Sequence, residues 1–254
     1  MAWTGLRLFR ADLREEGSFD EVVKGCDGVF HVAASMEFSV PVEENNEGYV
    51  QSNIIDPAIK GTLDLLKSCV KSGNVKRVVL TSSISTMTAK DSSGNPITVV
   101  DESCQNPVDR WDAKASGWVY ALSKILSEEA AFRFASENGI NLVSVITSTV
   151  GGPFLTSNVP SSIRVLVSPL TGDSELYGIL SAHAEAEGIP SSNSKRVVVE
   201  EEHNNPVPSE ISSKKLRDLG FNYKHGIEDI IHQSVSLSRF SHSTSNWKVT
   251  LRLS

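Results

Sequence analysis

The residues with chemistry to offer are Tyr120-Ala-Leu-Ser-Lys124 and, upstream, Ser83 at the end of Leu80-Thr81-Ser82-Ser83. Positions four apart in a helix lie one turn from each other on the same face, so the Tyr120 phenol and the Lys124 ammonium become neighbours. A phenol titrates near ~10 and is a weak proton donor or acceptor at neutral pH; a cation held beside it favours the phenolate and brings it toward working range. Lys124 is the candidate cation. Taken singly, each feature has an ordinary reading: Y-x-x-x-K pairs are common in helices, Ser82-Ser83 is a plain strand-end turn, and Tyr120 is a half-buried aromatic packed on a sheet. The joint pattern of strand-end serine, later tyrosine and a lysine four residues on favours proton-transfer chemistry.

Positioning these groups requires strands and helices in alternation. Gly28 to Ala34 is a continuous apolar run of strand length, the pattern of a parallel strand buried on both faces. Ile55, Ala58, Ile59, Thr62, Leu63, Leu65 and Leu66 recur at helical spacing between Ile54 and Cys69, and Val78-Val79-Leu80 follows as a strand. Ala121 to Ala135 is helical again, and Asn141 to Ile146 is the next strand. Strands alternating with helices of this length predict a doubly wound, Rossmann-like α/β fold with a parallel sheet. Nearer the start, Leu6 to Phe9 alternates like a short strand, and Ser18 to Glu21 has the spacing of a capping box before a helix at Val22-Val23. After Leu180 the apolar periodicity mostly stops, with polar runs at Ala184 to Pro190 and Glu200 to Asn205. Short helices are expected from Ser212 to Gly220 and from Ile227 to Val235, then a Ser-rich disordered tail. The expected organisation is a dinucleotide-binding domain over 1–150, a small substrate lobe over 151–235 and a tail over 236–254.

The 254 residues, 39% of them hydrophobic, suffice for one large α/β domain or for a domain with a small lobe. With 24 basic against 31 acidic residues and no basic stretch interleaved with aromatics, nucleic acid is an unsuited partner. No apolar stretch approaches the ~18 residues of a membrane span, and Met1 to Gly5 lacks the layout of a signal peptide, so a cytoplasmic location is expected. Cys26, Cys69 and Cys104 are far apart and form no C-x-x-C pair, which points to neither a metal site nor a disulfide framework.

Longer stretches resemble a known family. Phe30-His-Val-Ala-Ala34, Arg77-Val-Val-Leu-Thr-Ser-Ser83, Val99-Val-Asp-Glu-Ser103 and Trp118-Val-Tyr-Ala-Leu-Ser-Lys124 are similar to segments of the extended short-chain dehydrogenase/reductases, close to the plant dihydroflavonol and anthocyanidin reductases. The resemblance runs from Leu8 to about Ala182 and resumes at Ile211 to Phe221 and Gly226 to Ile230. It implies an NADPH-dependent reductase of a flavonoid or related phenolic ketone. In that reading Tyr120 is the general acid/base, Lys124 lowers its pKa and bonds the nicotinamide ribose, both belong to the cofactor-binding set, and Ser83 orients the carbonyl. Val32, Ala33 and Ala34 would lie beside the cofactor's phosphates and ribose, and Asp12 and Leu13 would contact adenine. His31 reads as structural.

The departures from the family pattern carry their own expectations. No G-x-x-G-x-x-G turn is present in the sequence. The chain reads as starting at the family's third strand, with the sheet's first two strands missing, so Leu6 to Phe9 either moves over to pair with Gly28 to Ala34 or leaves that strand an exposed apolar edge. A second gap is expected after Leu180-Ser181-Ala182, leaving the substrate lobe incomplete. Thr88 stands where dihydroflavonol reductases place an asparagine, and Thr147 replaces a usual proline, so the substrate and the nicotinamide-side contact stay open. Two functions follow: the NADPH-dependent reductase, or a catalytically inactive truncated isoform that does not hold the cofactor.

Overall fold

The computed structural model describes residues 5–34, 47–88, 90–105, 117–156, 158–172 and 209–241. In chain order the elements are β1 (Gly28–His31), α1 (Glu47–Val50), a π-helical turn (Gln51–Ile55), α2 (Asp56–Ser72), β2 (Arg77–Thr81), β3 (Val99–Val100), α3 (Trp118–Asn138), β4 (Leu142–Val145), α4 (Ser161–Thr171), β5 (Glu210–Ile211), α5 (Lys214–Asp218) and α6 (Ile227–Ser241). They belong to two compact units, Met1–Thr86 with Asn106–Thr147, and Met87–Gln105 with Ser148–Ser254. The segment 87–105 therefore groups with the later part of the chain, which a division at residue 150 does not anticipate.

In the first unit β1, β2 and β4 form a parallel sheet in the order β1-β2-β4, with Val29, Val78 and Leu142 in one row and Phe30, Val79 and Val143 in the next. Side chains alternate between the faces of a strand, so these rows point opposite ways. Val78 and Leu80 are buried among Leu65, Leu66 and Cys69 of α2, Ala131 of α3, and Val23. On the other face Phe30 is 76% exposed. Within this unit α2 and α3 cover one face of the sheet, so the expectation that Gly28 to Ala34 is a strand buried on both faces is corrected. The strand ends at His31, and no described strand pairs with its open side.

The helices pack where the sequence puts their apolar residues. Pro57 sits in the first turn of α2, where a missing N–H is tolerated, and the widened turn ahead of it keeps the chain helical from Glu47 to Ser72. That turn buries Ile54 and Ile55, which join Val50 and Val119 in a second cluster that seats the start of α3. Gly73 and Gly139 close α2 and α3 at φ +68° and +67°, left-handed conformations suited to glycine.

The start of the chain is less regular than its pattern suggests. Leu6 to Phe9 forms no strand and stays exposed, since no described strand lies alongside to take its backbone hydrogen bonds; Arg7 stacks on the Phe9 ring instead. The Ser18 to Glu21 capping box is also corrected. Ser18 Oγ accepts the Asp12 N–H at 2.6 Å, Glu21 pairs with Lys24, and Gly17 and Gly25 at positive φ break the segment into turns. These turns still bury Val23.

In the second unit β3 and β5 pair in parallel over two residues each, and α4 packs on α6. A Cβ on Gly151 would lie 2.5 Å from Ile230 Cγ2 and 2.8 Å from Leu166 Cδ2, so glycine is what allows that approach. The α6 helix continues to Ser241, past the expected end near Val235, because serine costs a helix only a few tenths of a kcal/mol. The polar runs after Leu180, the expected gap there and residues 242–254 lie outside the described residues.

Candidate active site at the end of β2

The carboxyl end of β2 and the first two turns of α3 bring the candidate residues together. Ser83 is buried, and its hydroxyl hydrogen-bonds the phenol of the half-buried Tyr120. Ser85 donates to Ser83 Oγ through its own hydroxyl at 2.9 Å and its backbone N–H at 3.2 Å. Ser83 is thus held from one side and faces Tyr120 on the other. Lys124, one turn on, is buried and donates from Nζ to the Thr81 carbonyl at 2.7 Å. An ammonium carries three N–H donors and this bond uses one.

Burial dominates the electrostatics. It pushes the Tyr120 phenol above its ordinary value, with the Ser83 hydrogen bond opposing the rise. It likewise pushes Lys124 below the ordinary lysine value, an effect that the negative charge of Glu128 counters. The expected depression of the phenol by Lys124 is therefore not what this arrangement gives: the ammonium is turned to the Thr81 carbonyl, and desolvation outweighs the stabilisation of a phenolate. His31 is buried at the end of β1, shares a 3.1 Å hydrogen bond between Nε2 and Thr62 Oγ1, and is lowered to about 4 by burial and then by the Lys124 charge. It is a neutral, anchored imidazole at physiological pH.

The remaining candidates are placed less uniformly. Val32, Ala33 and Ala34 follow β1 and are exposed. The Asp12 carboxylate accepts from the Arg14 backbone at 2.9 Å and from its guanidinium at 2.8 and 3.1 Å, and Arg14 holds it down at about 2. Leu13 is pressed against Gly61 of α2. Thr88 belongs to the second unit, where its N–H donates to the Cys104 carbonyl. Thr147 reaches the Ser82 carbonyl at 3.3 Å and its own carbonyl accepts the Ile84 N–H at 2.9 Å, so it braces the strand end that carries Ser83. The cysteines are free, and burial pushes the Cys69 thiol up to about 11.

Sequence reasoning missed Glu128. It is buried on α3, and its carboxylate accepts the hydroxyls of Ser82, at 2.7 Å, and Ser144. The available signal was its position four residues beyond Lys124, on the same helix face.

These residues fit the nicotinamide end of a dinucleotide: Lys124 retains N–H donors and Tyr120 presents a hydroxyl beside it. The fit does not extend to the phosphates, since the sequence has no glycine-rich turn of the kind that receives a pyrophosphate.

Comparisons with known proteins converge on one family. The family model described as NAD dependent epimerase/dehydratase family matches residues 2–178. Dihydroflavonol 4-reductase of Arabidopsis thaliana is 35% identical over 277 residues, covering 94% of this chain and 70% of that protein. Dihydroflavonol 4-reductase of Medicago sativa is 41% identical over 176 residues, covering 69% of this chain and 76% of that protein. The crystal structure of vestitone reductase from alfalfa superposes with a TM-score of 0.65 at 27% identity, covering 92% of this chain and 83% of the other. The Arabidopsis alignment is longer than the 254 residues available, so that relative carries internal residues with no counterpart here. No described helix is long and apolar enough to cross a membrane.

Proposed function

We infer an NADPH-dependent carbonyl reductase from the premise that this chain belongs to the NAD dependent epimerase/dehydratase family. The substrate class we assign is a flavonoid or related phenolic ketone, which the named relatives support; the location we assign is cytoplasmic. The observation that carries the proposal is the contact of Ser83 with Tyr120, with Lys124 one turn along α3.

A nicotinamide dinucleotide, when bound, supplies the hydride. Tyr120 then gives its phenolic proton to the carbonyl oxygen, and solvent restores it. Ser83 hydrogen-bonds the same oxygen and fixes the carbonyl in front of the phenol, since its hydroxyl is already oriented by Ser85. Lys124 holds the nicotinamide ribose with the N–H groups that Thr81 leaves available. Val32, Ala33 and Ala34 form the wall at the end of β1, and Asp12 with Leu13 serves the adenine end.

Removing the phenolic proton isolates the central claim. In Tyr120→Phe, ketone reduction should fall by about 10²–10⁴-fold while NADPH affinity stays nearly unchanged. Retention of most activity would remove Tyr120 from the mechanism. A second reading, a chain that does not hold the dinucleotide by itself, is favoured by the absence of a glycine-rich turn and by the exposed Phe30 beside the open edge of β1. Isothermal titration with NADPH separates the two: micromolar binding supports the reductase, and no measurable heat supports the second reading.

A further inference from the structure

Lys124 is a buried cation whose hydrogen-bond partner is a neutral carbonyl. A buried charge without an opposite charge nearby is costly. Of the groups facing it, His31 from β1 is neutral above about pH 4, Thr81 from β2 offers a dipole, and Tyr120 on α3 is a phenol held above its ordinary value. Glu128, one turn further along α3, is the group that brings a negative charge, and it attracts Lys124 through space.

Glu128 is 8% exposed, and its carboxylate oxygens are taken by Ser82 and Ser144. Ser82 lies between Thr81, which receives the Lys124 ammonium, and Ser83, which meets Tyr120. If two serine hydroxyls were all that needed an acceptor, a neutral amide would serve without burying a charge.

We propose that Glu128 is a positioning residue of the active site: its buried charge balances Lys124, and its grip on Ser82 and Ser144 fixes the strand end that presents Ser83 to Tyr120. Its part in catalysis rests on the reductase reading, whereas the charge pairing does not. Glu128 acts through Lys124 and Ser82 and touches no substrate.

The test is the pH dependence of unfolding by urea, measured on the full chain at pH 7 and pH 10 for wild type, Glu128→Gln, Lys124→Met and the double variant. Glutamine keeps an acceptor but removes the charge. Without that charge the Lys124 ammonium is less favoured in the folded state, so the variant is weakened wherever lysine is protonated and recovers as rising pH discharges it. For each unit by which Lys124 titrates lower, the increase in the unfolding constant should be about tenfold at pH 7 and should shrink as pH rises to 10. With Lys124→Met in place, Glu128→Gln should have a smaller, pH-independent effect. A Glu128→Gln cost equal at both pH values and in both backgrounds would make Glu128 a hydrogen-bond acceptor only, and overturn the proposal. Should Glu128→Gln fail to fold, rescue by Lys124→Met supports the pairing, and failure of the double variant as well overturns it. Because unfolding is the readout, a wild-type chain that reduces no ketone would sink the reductase reading while leaving this result to stand or fall alone.

Discussion

Gly61→Ala is the substitution whose cost can be worked from the closest approach in the first unit. A glycine inside a helix normally invites replacement, since alanine gains about 1 kcal/mol at an unhindered site. Here a Cβ would lie 2.7 Å from the Leu13 carbonyl oxygen and 2.8 Å from Leu13 Cβ, well inside ordinary contact. Neither is the free end of a flexible side chain. The turn holding Leu13 is itself fastened, by Ser18 Oγ to the Asp12 N–H and by the Gly17 N–H to Asp64 on α2 at 2.8 Å. The upper part of the usual overpacking cost of about 1–3 kcal/mol therefore applies. Subtracting the helix gain leaves a net loss of about 1–2 kcal/mol, or a fall in Tm of roughly 3–6 °C for a protein of this size. Thermal unfolding followed by circular dichroism reads it directly. A Tm equal to or above wild type would show that Leu13 is not seated on α2. On the reductase reading the displaced Leu13 would also weaken NADPH binding.

Two further outcomes concern the core. The buried His31 imidazole stays neutral down to about pH 4, whereas its unfolded counterpart takes a proton near ~6.5; its contribution is full above ~6.5 and is lost as pH falls toward 4, about 3 kcal/mol in all. His31→Gln should therefore lose less stability than wild type between pH 7 and pH 4 in urea titrations, and parallel curves would refute the burial argument. Leu66→Ala, at a position 1% exposed in the α2 core, should cost about 2–5 kcal/mol by urea unfolding, against less than about 0.5 kcal/mol for Leu219→Ala at an exposed site.

The elements that carry the site were legible because long-range packing reinforces their local pattern. The apolar spacing of α2 and α3 and the short runs of β2 and β4 all mark residues that meet in one core, so periodicity and tertiary contact agree. Leu6 to Phe9 and Ser18 to Glu21 show the opposite case. Their local signals are genuine, but a strand needs a neighbour and a capping box needs a helix to follow, and Gly17 and Gly25 interrupt that helix. Ser83, Tyr120 and Lys124 were readable from type and spacing alone. Glu128 was not, because a glutamate on a helix is usually a solvated face, and only the depth of α3 against Ser82 and Ser144 turns it inward. Thr147 likewise looked like a departure from a family pattern, and its brace on Ser82 depends on β2 and β4 lying side by side.

The charge arrangement also bears on the direction of the chemistry. Burial holds the Tyr120 phenol protonated, and the nearest cation is engaged with a backbone carbonyl. A protonated phenol is the species that carbonyl reduction consumes, whereas oxidation of an alcohol begins from the phenolate. On the reductase reading, the free chain therefore rests in the state that donates. Engagement of the remaining Lys124 N–H groups by a ribose would add polar partners to a site where desolvation now opposes every charge, so cation and phenolate would become less costly together than either is alone. On that reading a carboxylate beneath the lysine serves the chemistry as well as the fold: its negative charge opposes the lowering that burial imposes on Lys124, and so favours the charged ammonium that steadies the spent phenolate.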